Sequence, residues 1–401
     1  PWKDLHKQKQ HLVQTLIDWA NINTGSTNIA GLTHLATLIQ QKLNKVSKTC
    51  KLITPEPIQL STNKGRHYAQ ALGPIIHASQ RPKAPIQLLF SIHLDTVFNT
   101  DHPFQSCTSP SEDMLIGPGV SDAKGGLLIL LTTLELLEQS DHAKQIGWEV
   151  IISSDEEIGS PGSESLLKSR APHFDLGLVF EPCLPKGHLI SQRKGSRCLL
   201  LTAKGKSAHA GRNPFSGQNA IAPLAQCITQ IHQLPQMDDV FINIGTINGG
   251  TANNVVPDFA QADINIRANN PDLITDAHEQ IQAIIKGINK ATKTKLTLHM
   301  VSDRAPKKFP KELERLFKEI KRIGKQYDQL INWKTSGGVC DGNTLQEAGL
   351  LCIDTLGAQG GLIHTDEEYL LTDSLVIRTQ LLCDFIQDIA TGKIRLPKRE
   401  K

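Results

Sequence analysis

The sequence predicts an α/β protein: a mainly parallel sheet with helices between its strands, carrying an inserted α+β domain of ferredoxin-like type. Three observations predict it. Short apolar runs of strand length, Leu88 to Ile92, Trp148 to Ser153 and Leu176 to Phe180, alternate with helical patterns. Each run is followed within a few residues by imidazole or carboxylate: His93 and Asp95, then Asp155-Glu156-Glu157, then Glu181. From Ser196 to Met300 the order changes to strand, helix, strand, strand, helix, strand.

The elements follow in chain order. Leu12, Leu16, Ile17 and Trp19, then Leu32, Leu35, Leu38, Ile39 and Leu43, recur at helical spacing and predict two packing helices, His11 to Ile22 and Thr27 to Val46. Ile58 to Leu60 reads as a weak strand, Ser61 to Arg66 as a turn and Pro74 to Ala78 as a strand. The glycine-rich loop Gly117-Pro-Gly-Val-Ser-Asp122-Ala-Lys-Gly-Gly126 runs into an apolar helix to Leu137, and Ser163 to Ser169 predicts a second short one. In the insert, the strands are Arg197 to Lys204, Phe241 to Asn248, Ala260 to Ala268 and Lys295 to Val301, and the helices Gln218 to Leu234 and Pro271 to Thr292. An amphipathic helix over Leu313 to Tyr327, a strand over Leu350 to Leu356 and a helix over Thr372 to Ala390 close the chain. With 401 residues the chain exceeds the roughly 250–300 at which single cores stop growing, so two domains are expected. They are 1–192 with 303–401, and the insert 193–302.

Charge excludes several classes of function. The 43 basic and 40 acidic residues are interspersed, which gives no electrostatic case for nucleic acid or a membrane surface. Lys393 to Lys401 reads as a solvated tail, and no apolar run reaches the roughly 18 residues of a membrane span. Eight cysteines without CxxC spacing fit reduced thiols, hence a cytoplasmic protein; the start at Pro1 leaves a removed leader open.

Ligands converge at the strand ends. Strand alternation points positions 93 and 95 to one side, so the Asp95 carboxylate can hold the His93 imidazole while that imidazole holds a metal. A His beside an Asp is also a common satisfied polar pair, and Glu156-Glu157 a common solvated one. Against those readings, His93, Asp95, Asp122, Glu156, Glu157, Glu181 and His364 all fall at strand ends or in loops. The crevice beyond the carboxyl ends of the strands is the usual ligand site of open α/β sheets. Imidazole and carboxylate without thiolate suit a catalytic divalent metal.

Here the chain resembles the zinc peptidases and deacylases that include the carboxypeptidase G-type glutamate carboxypeptidases, acetylornithine deacetylase and succinyl-diaminopimelate desuccinylase. The resemblance is closest to the first branch and covers nearly the whole length. Its motifs are Ser91-Ile-His-Leu-Asp-Thr-Val97, Gly117 to Gly126, Ser154-Asp-Glu-Glu-Ile-Gly-Ser160, Phe180-Glu-Pro182, Gly205-Lys-Ser-Ala-His-Ala-Gly211 and His364-Thr-Asp366.

The resemblance implies a zinc-peptidase catalytic domain with an inserted dimerisation domain, and two zinc ions per subunit, with cobalt able to substitute. Asp122 would bridge them, His93 and Glu181 holding one and Glu157 and His364 the other. Asp95 would orient His93, Glu156 would act as general base, and the peptide after Asp122 would be cis. His209, which sequence alone also allows as a turn histidine, would cross to the partner's site in a homodimer and stabilise the oxyanion. Asn253 and Arg267 match substrate-binding positions, Arg267 suiting a carboxylate, and the Gly337 and Gly338 amides would serve the same group. Where relatives carry Ser or Thr before the Asp of the Gly-Gly loop, this chain has Cys340-Asp341, which puts selectivity rather than metal binding in question. No adjacent histidine activates Cys340 as a nucleophile.

The function expected is metal-dependent cleavage of an amide next to a free carboxylate in a small peptide, carboxypeptidase-like on a C-terminal, acidic residue. N-acyl amino-acid deacylation is the runner-up. A non-catalytic peptide-binding homologue is the rival of another class.

Overall fold

The computed structural model describes residues 2–62, 65–235 and 237–397. Part of the expected Ser61 to Arg66 turn and the end of the basic tail lie outside them.

The principal sheet has six strands in the order Thr49–Ile53, Ile75–Gln80, Ile146–Ser153, Ile86–His93, Leu176–Val179 and Cys352–Ile353. The last four strands pair in parallel, and the first two join antiparallel at one edge. The sheet is therefore mixed, with the parallel part at its centre. The strand Thr49–Ile53 was not foreseen, because its alternating half-exposed pattern belongs to an edge and lacks a continuous apolar run.

Both faces of the central strands are covered. Leu88, Phe90 and Ile92 enter the larger core with the helices Lys9–Ala20, Gly126–Glu138 and Asp373–Ala390. Leu89, Ile151 and Val179 face the other way onto Leu167, Phe174 and Leu345. Strand alternation thus feeds two cores, which is why these runs are apolar at every position. Register aligns His93 with Ser153 and Ser91 with Val179, so three parallel strands end together and deliver the polar residues after them to one edge.

A second, antiparallel sheet has the order Val240–Gly249, Phe259–Ala268, Gly195–Lys204 and Lys295–Arg304, with its own apolar core. The helix Pro271–Ala291 turns Ile274, Ala277, Ile281, Ile285 and Ile288 onto it at helical spacing, and Ile221–His232 packs beside it. The strands and helices expected between Ser196 and Met300 form this sheet and its two helices.

The C-terminal part also departs from expectation. The strand expected over Leu350 to Leu356 shrinks to Cys352–Ile353, because Asp354 turns to pair with Arg193 and Lys307 and Thr355 takes a left-handed φ of 61°. A short helix, Asp341–Glu347, follows the Gly-Gly loop, with the Cys340 thiol accepting from the Gly342 amide at its start. All eight cysteines are free, and no helix among the described residues is long and apolar enough to cross a membrane.

Candidate active site

Asp122 stands at the centre. It lies in the breaker-rich loop before the helix Gly126–Glu138, and the Asp122–Ala123 peptide is cis. Its Oδ1 is 3.2 Å from His93 Nε2, and its Oδ2 is 3.2 Å from His364 Nε2. One carboxylate therefore faces two imidazoles, one through each oxygen. Glu181 Oε1 approaches His93 Nε2 at 3.9 Å, and Glu157 Oε2 approaches His364 Nε2 at 3.3 Å.

The supports hold these groups from behind. His93 Nδ1 lies 2.9 Å from the main-chain carbonyl of Asp95 and 3.4 Å from its carboxylate. A carbonyl only accepts, so Nδ1 carries hydrogen and Nε2 is the ring nitrogen turned toward the site, where it meets the Asp122 carboxylate. The short contact comes from the carbonyl rather than the expected carboxylate because the strand ends at His93, and alternation does not extend to Asp95. The Asp95 carboxylate instead accepts from Ser26 Oγ at 2.8 Å and from the amides of Glu156 and Glu157 at 3.1 Å each. It fixes the turn that carries both glutamates. His364 comes from the loop between the short strands Gly360–Gly361 and Tyr369–Leu371 and takes a φ of 65°.

The electrostatics suit a cation. Burial resists ionisation of Asp122, but the imidazoles of His364 and His93 outweigh it and hold the carboxyl below its usual range. Burial likewise opposes charge on His93, yet Asp122 and Asp95 raise its pKa well above normal. Asp122 and Glu157 push His364 up to about 10. Negative potential that holds protons on two imidazoles also attracts a metal, which competes with those protons for Nε2. Glu157 Oε1 is buried with no hydrogen-bond partner, a costly position for a carboxylate oxygen unless a cation meets it. Ligand atoms of His93, Asp122 and Glu157 all lie within 4.8 Å of one another. The donor set therefore fits a divalent metal.

Glu156 has other surroundings. Its Oε1 accepts from Arg304 Nη1 at 2.9 Å, and the same guanidinium reaches Asp341 Oδ1 at 3.3 Å and Ser160 Oγ. Burial pushes the Glu156 carboxyl up to about 7, against the opposing charge of Arg304.

A cavity of about 790 Å³ opens over these residues, walled on one side by Ser196, Cys198, Arg267 and Ser302 of the antiparallel sheet. Arg267 Nη1 donates to the Gly337 carbonyl at 2.7 Å, and Asn265 Oδ1 accepts from its Nε at 2.7 Å. The Gly338 amide donates to Ser336 Oγ at 3.1 Å, so that amide is already engaged. His209 and Asn253 do not line this cavity. They lie in exposed loops that pair with each other, Ala210 N donating to Asn254 O at 2.9 Å and Val256 N to Ala208 O at 2.9 Å. The His209 Nδ1 accepts from the amides of Gly211 and Arg212 at 3.1 and 3.2 Å, which leaves Nε2–H as a free donor.

The model of peptidase family M20/M25/M40 matches residues 89–388. The chain belongs to this family. It is 24% identical over 390 residues to carboxypeptidase G2 of Pseudomonas sp. (strain RS-16), covering 95% of this chain and 90% of that one. Succinyl-diaminopimelate desuccinylase of Pseudoalteromonas translucida is 29% identical over 293 residues, covering 69% and 74%. Among solved structures, the YXEP protein of Bacillus subtilis, described as a dinuclear metal-binding peptidase of family M20, superposes with a TM-score of 0.64. That match has 14% identity and covers 96% of this chain and 99% of that one. This M20 chain is a metal-dependent hydrolase of the peptidase and amidohydrolase type, with the mixed α/β fold of its family.

The family motifs do not include every residue that shapes the site. Glu368, 1% exposed, accepts from the amides of Gly119, Ser121 and Asp122 at 3.2, 2.8 and 2.9 Å and clamps the loop that presents Asp122. Arg193 pairs through two nitrogens with Asp354, which Lys307 also meets at 3.3 Å. In the sequence Glu368 is one acid in a run of three, and Arg304 and Lys307 look like linker residues. Their partners are 37 to 249 residues away, and no local spacing signals them.

Proposed function

We propose that this M20 hydrolase is a homodimeric dizinc enzyme that cleaves an amide adjacent to a free carboxylate, as a carboxypeptidase. The observation that carries the reading is Asp122, whose two oxygens each face one imidazole at 3.2 Å, while Glu181 approaches the first imidazole and Glu157 the second. Such a set suits two cations sharing one bridging carboxylate. His93 and Glu181 would hold one and His364 and Glu157 the other.

A metal pair there supplies Lewis acidity and acidifies water. The remaining chemistry belongs to side chains. Glu156, engaged by Arg304 rather than by the imidazoles, takes a proton from the attacking water and returns it to the leaving nitrogen. Arg267, with its Nε fixed by Asn265, receives the free carboxylate. His209 offers Nε2–H to the carbonyl oxygen of a substrate in the partner subunit. It follows the far end of the strand Gly195–Lys204, roughly 25 Å by strand rise from where Ser196 sits beside Arg304, so it serves a neighbour more readily than its own site. We assign residues 193–302 to the unit that carries this contact. Cobalt would substitute for zinc, since the donors are imidazole and carboxylate.

Metal counting tests the reading. Two zinc ions per chain are expected, with activity lost on chelation and restored by zinc; a loaded chain holding none would defeat it. C-terminal glutamyl dipeptides should outpace N-acetyl amino acids in kcat/KM. The reverse order would favour the deacylase reading, for which the desuccinylase relative speaks. Glu368→Gln, which weakens the clamp behind Asp122, is expected to cost about 10- to 100-fold in metal affinity or turnover. Titration of the stripped protein with zinc measures it.

A further inference from the structure

We infer that the acyl side of the scissile amide is a bulky apolar group, received by an aliphatic rim formed by Ile158, Val301, Leu362 and Ile363. The inference rests on the amide-hydrolase reading and specifies its substrate class. These four side chains are 41%, 57%, 54% and 40% exposed, and all four line the one cavity over Asp122. Single exposed aliphatics are ordinary on any surface, but four lining one cavity beside a charged centre mark a place where apolar substrate is removed from water.

Their position in the chain sets which end of the substrate they meet. Ile158 follows Glu157 directly, and Leu362 and Ile363 precede His364, so the rim borders the Glu157–His364 side of Asp122. Arg267 is tied to Gly337, and the next carbonyl, Gly338, accepts from Arg193, whose charge acts on Glu181. The cationic end of the cavity therefore borders the Glu181 side. A substrate whose carboxylate meets Arg267 and whose amide carbonyl lies over Asp122 extends its acyl portion onto the aliphatic side. Leu362 adds an independent sign. Its φ is 52°, a conformation that costs an L residue energy and that glycine or asparagine fills more easily. Turn chemistry does not call for leucine there; an apolar contact does. Val301 approaches from the antiparallel sheet, so the rim is contributed by both sheets' domains.

A medium-chain fatty acyl group and an apolar penultimate residue present the same chemistry, and one series separates them. Metal-loaded enzyme is assayed on N-acetyl-, N-butanoyl- and N-hexanoyl-glutamate and on glycyl- and leucyl-glutamate, with Kd measured by calorimetry on the Glu156→Gln protein. kcat/KM is expected to rise about two- to fourfold per added methylene, and Val301→Ser with Leu362→Ser should flatten that slope. A greater gain for hexanoyl over acetyl than for leucyl over glycyl assigns a fatty acyl group, and the opposite an apolar residue. Equal kcat/KM across both series, or an unchanged slope in the variants, overturns the rim with amide hydrolysis intact. Absence of all hydrolysis defeats the enzyme reading instead, and the Kd series then decides the rim by the same slope.

Discussion

Glu156→Gln is expected to lower kcat by about 10²- to 10⁴-fold while metal content and fold are retained. The amide keeps the volume of the carboxyl and leaves an oxygen to accept from Arg304, which also retains Asp341 and Ser160. The main-chain amide of residue 156 still donates to Asp95, so the turn that presents Glu157 is undisturbed. What the amide loses is the ability to take a proton from water and hand it on. Glu157 would not stand in, since a carboxylate engaged by a metal would be a poor base. Steady-state rates, metal counts and thermal midpoints on the same preparation check the expectation. Near-normal turnover would remove Glu156 from the general-base role.

Asp122→Asn is expected to be more disruptive, because it acts on metal and geometry together. Asparagine offers one carbonyl oxygen and an NH₂ in place of two anionic oxygens, so it cannot face both imidazoles as an acceptor. One side of the site then meets an N–H where it needs an anion. The loss of activity should exceed the roughly 10- to 100-fold typical of an outer-shell partner, with fewer than two metals per chain. Because Glu368 grips the loop through main-chain amides, the loop itself should persist. Emission spectroscopy for metal and circular dichroism for fold separate the two effects. Full metal content with normal turnover would overturn the bridging role.

Much of this architecture was legible in the sequence, for identifiable reasons. Leu88 to Ile92 and Trp148 to Ser153 announce buried strands because helices cover both of their faces, and such coverage demands apolar residues throughout. His93, Asp122, Glu157, Glu181 and His364 could be nominated because each follows a strand or breaker-rich loop. The edge strand Thr49–Ile53 escaped since its half-exposed residues carry no continuous signal. Arg304, Arg193, Lys307 and Glu368 escaped for a different reason: buried charges are paired across the chain, and a pairing of residues dozens to hundreds of positions apart leaves no period to read. His93 shows a third limit, in that a main-chain carbonyl, invisible to residue type, makes the short contact that orients its ring.

The pairing of Arg304 with Glu156 and Asp341 has a mechanical side. The chain enters the antiparallel sheet past Arg193 and leaves it at Arg304, and both are anchored by buried carboxylates of the principal domain. Those anchors form a fulcrum at one end of ten-residue strands, and the His209 loop rides at the other. With an arm of roughly 25–30 Å, a rocking of about 10° displaces the tip by about 5 Å and leaves the Glu156 turn nearly still. Geared in this way, the sheet would let a small rocking carry the distant His209 imidazole through several ångströms while the pairs of Arg304 hold the Glu156 carboxylate in place.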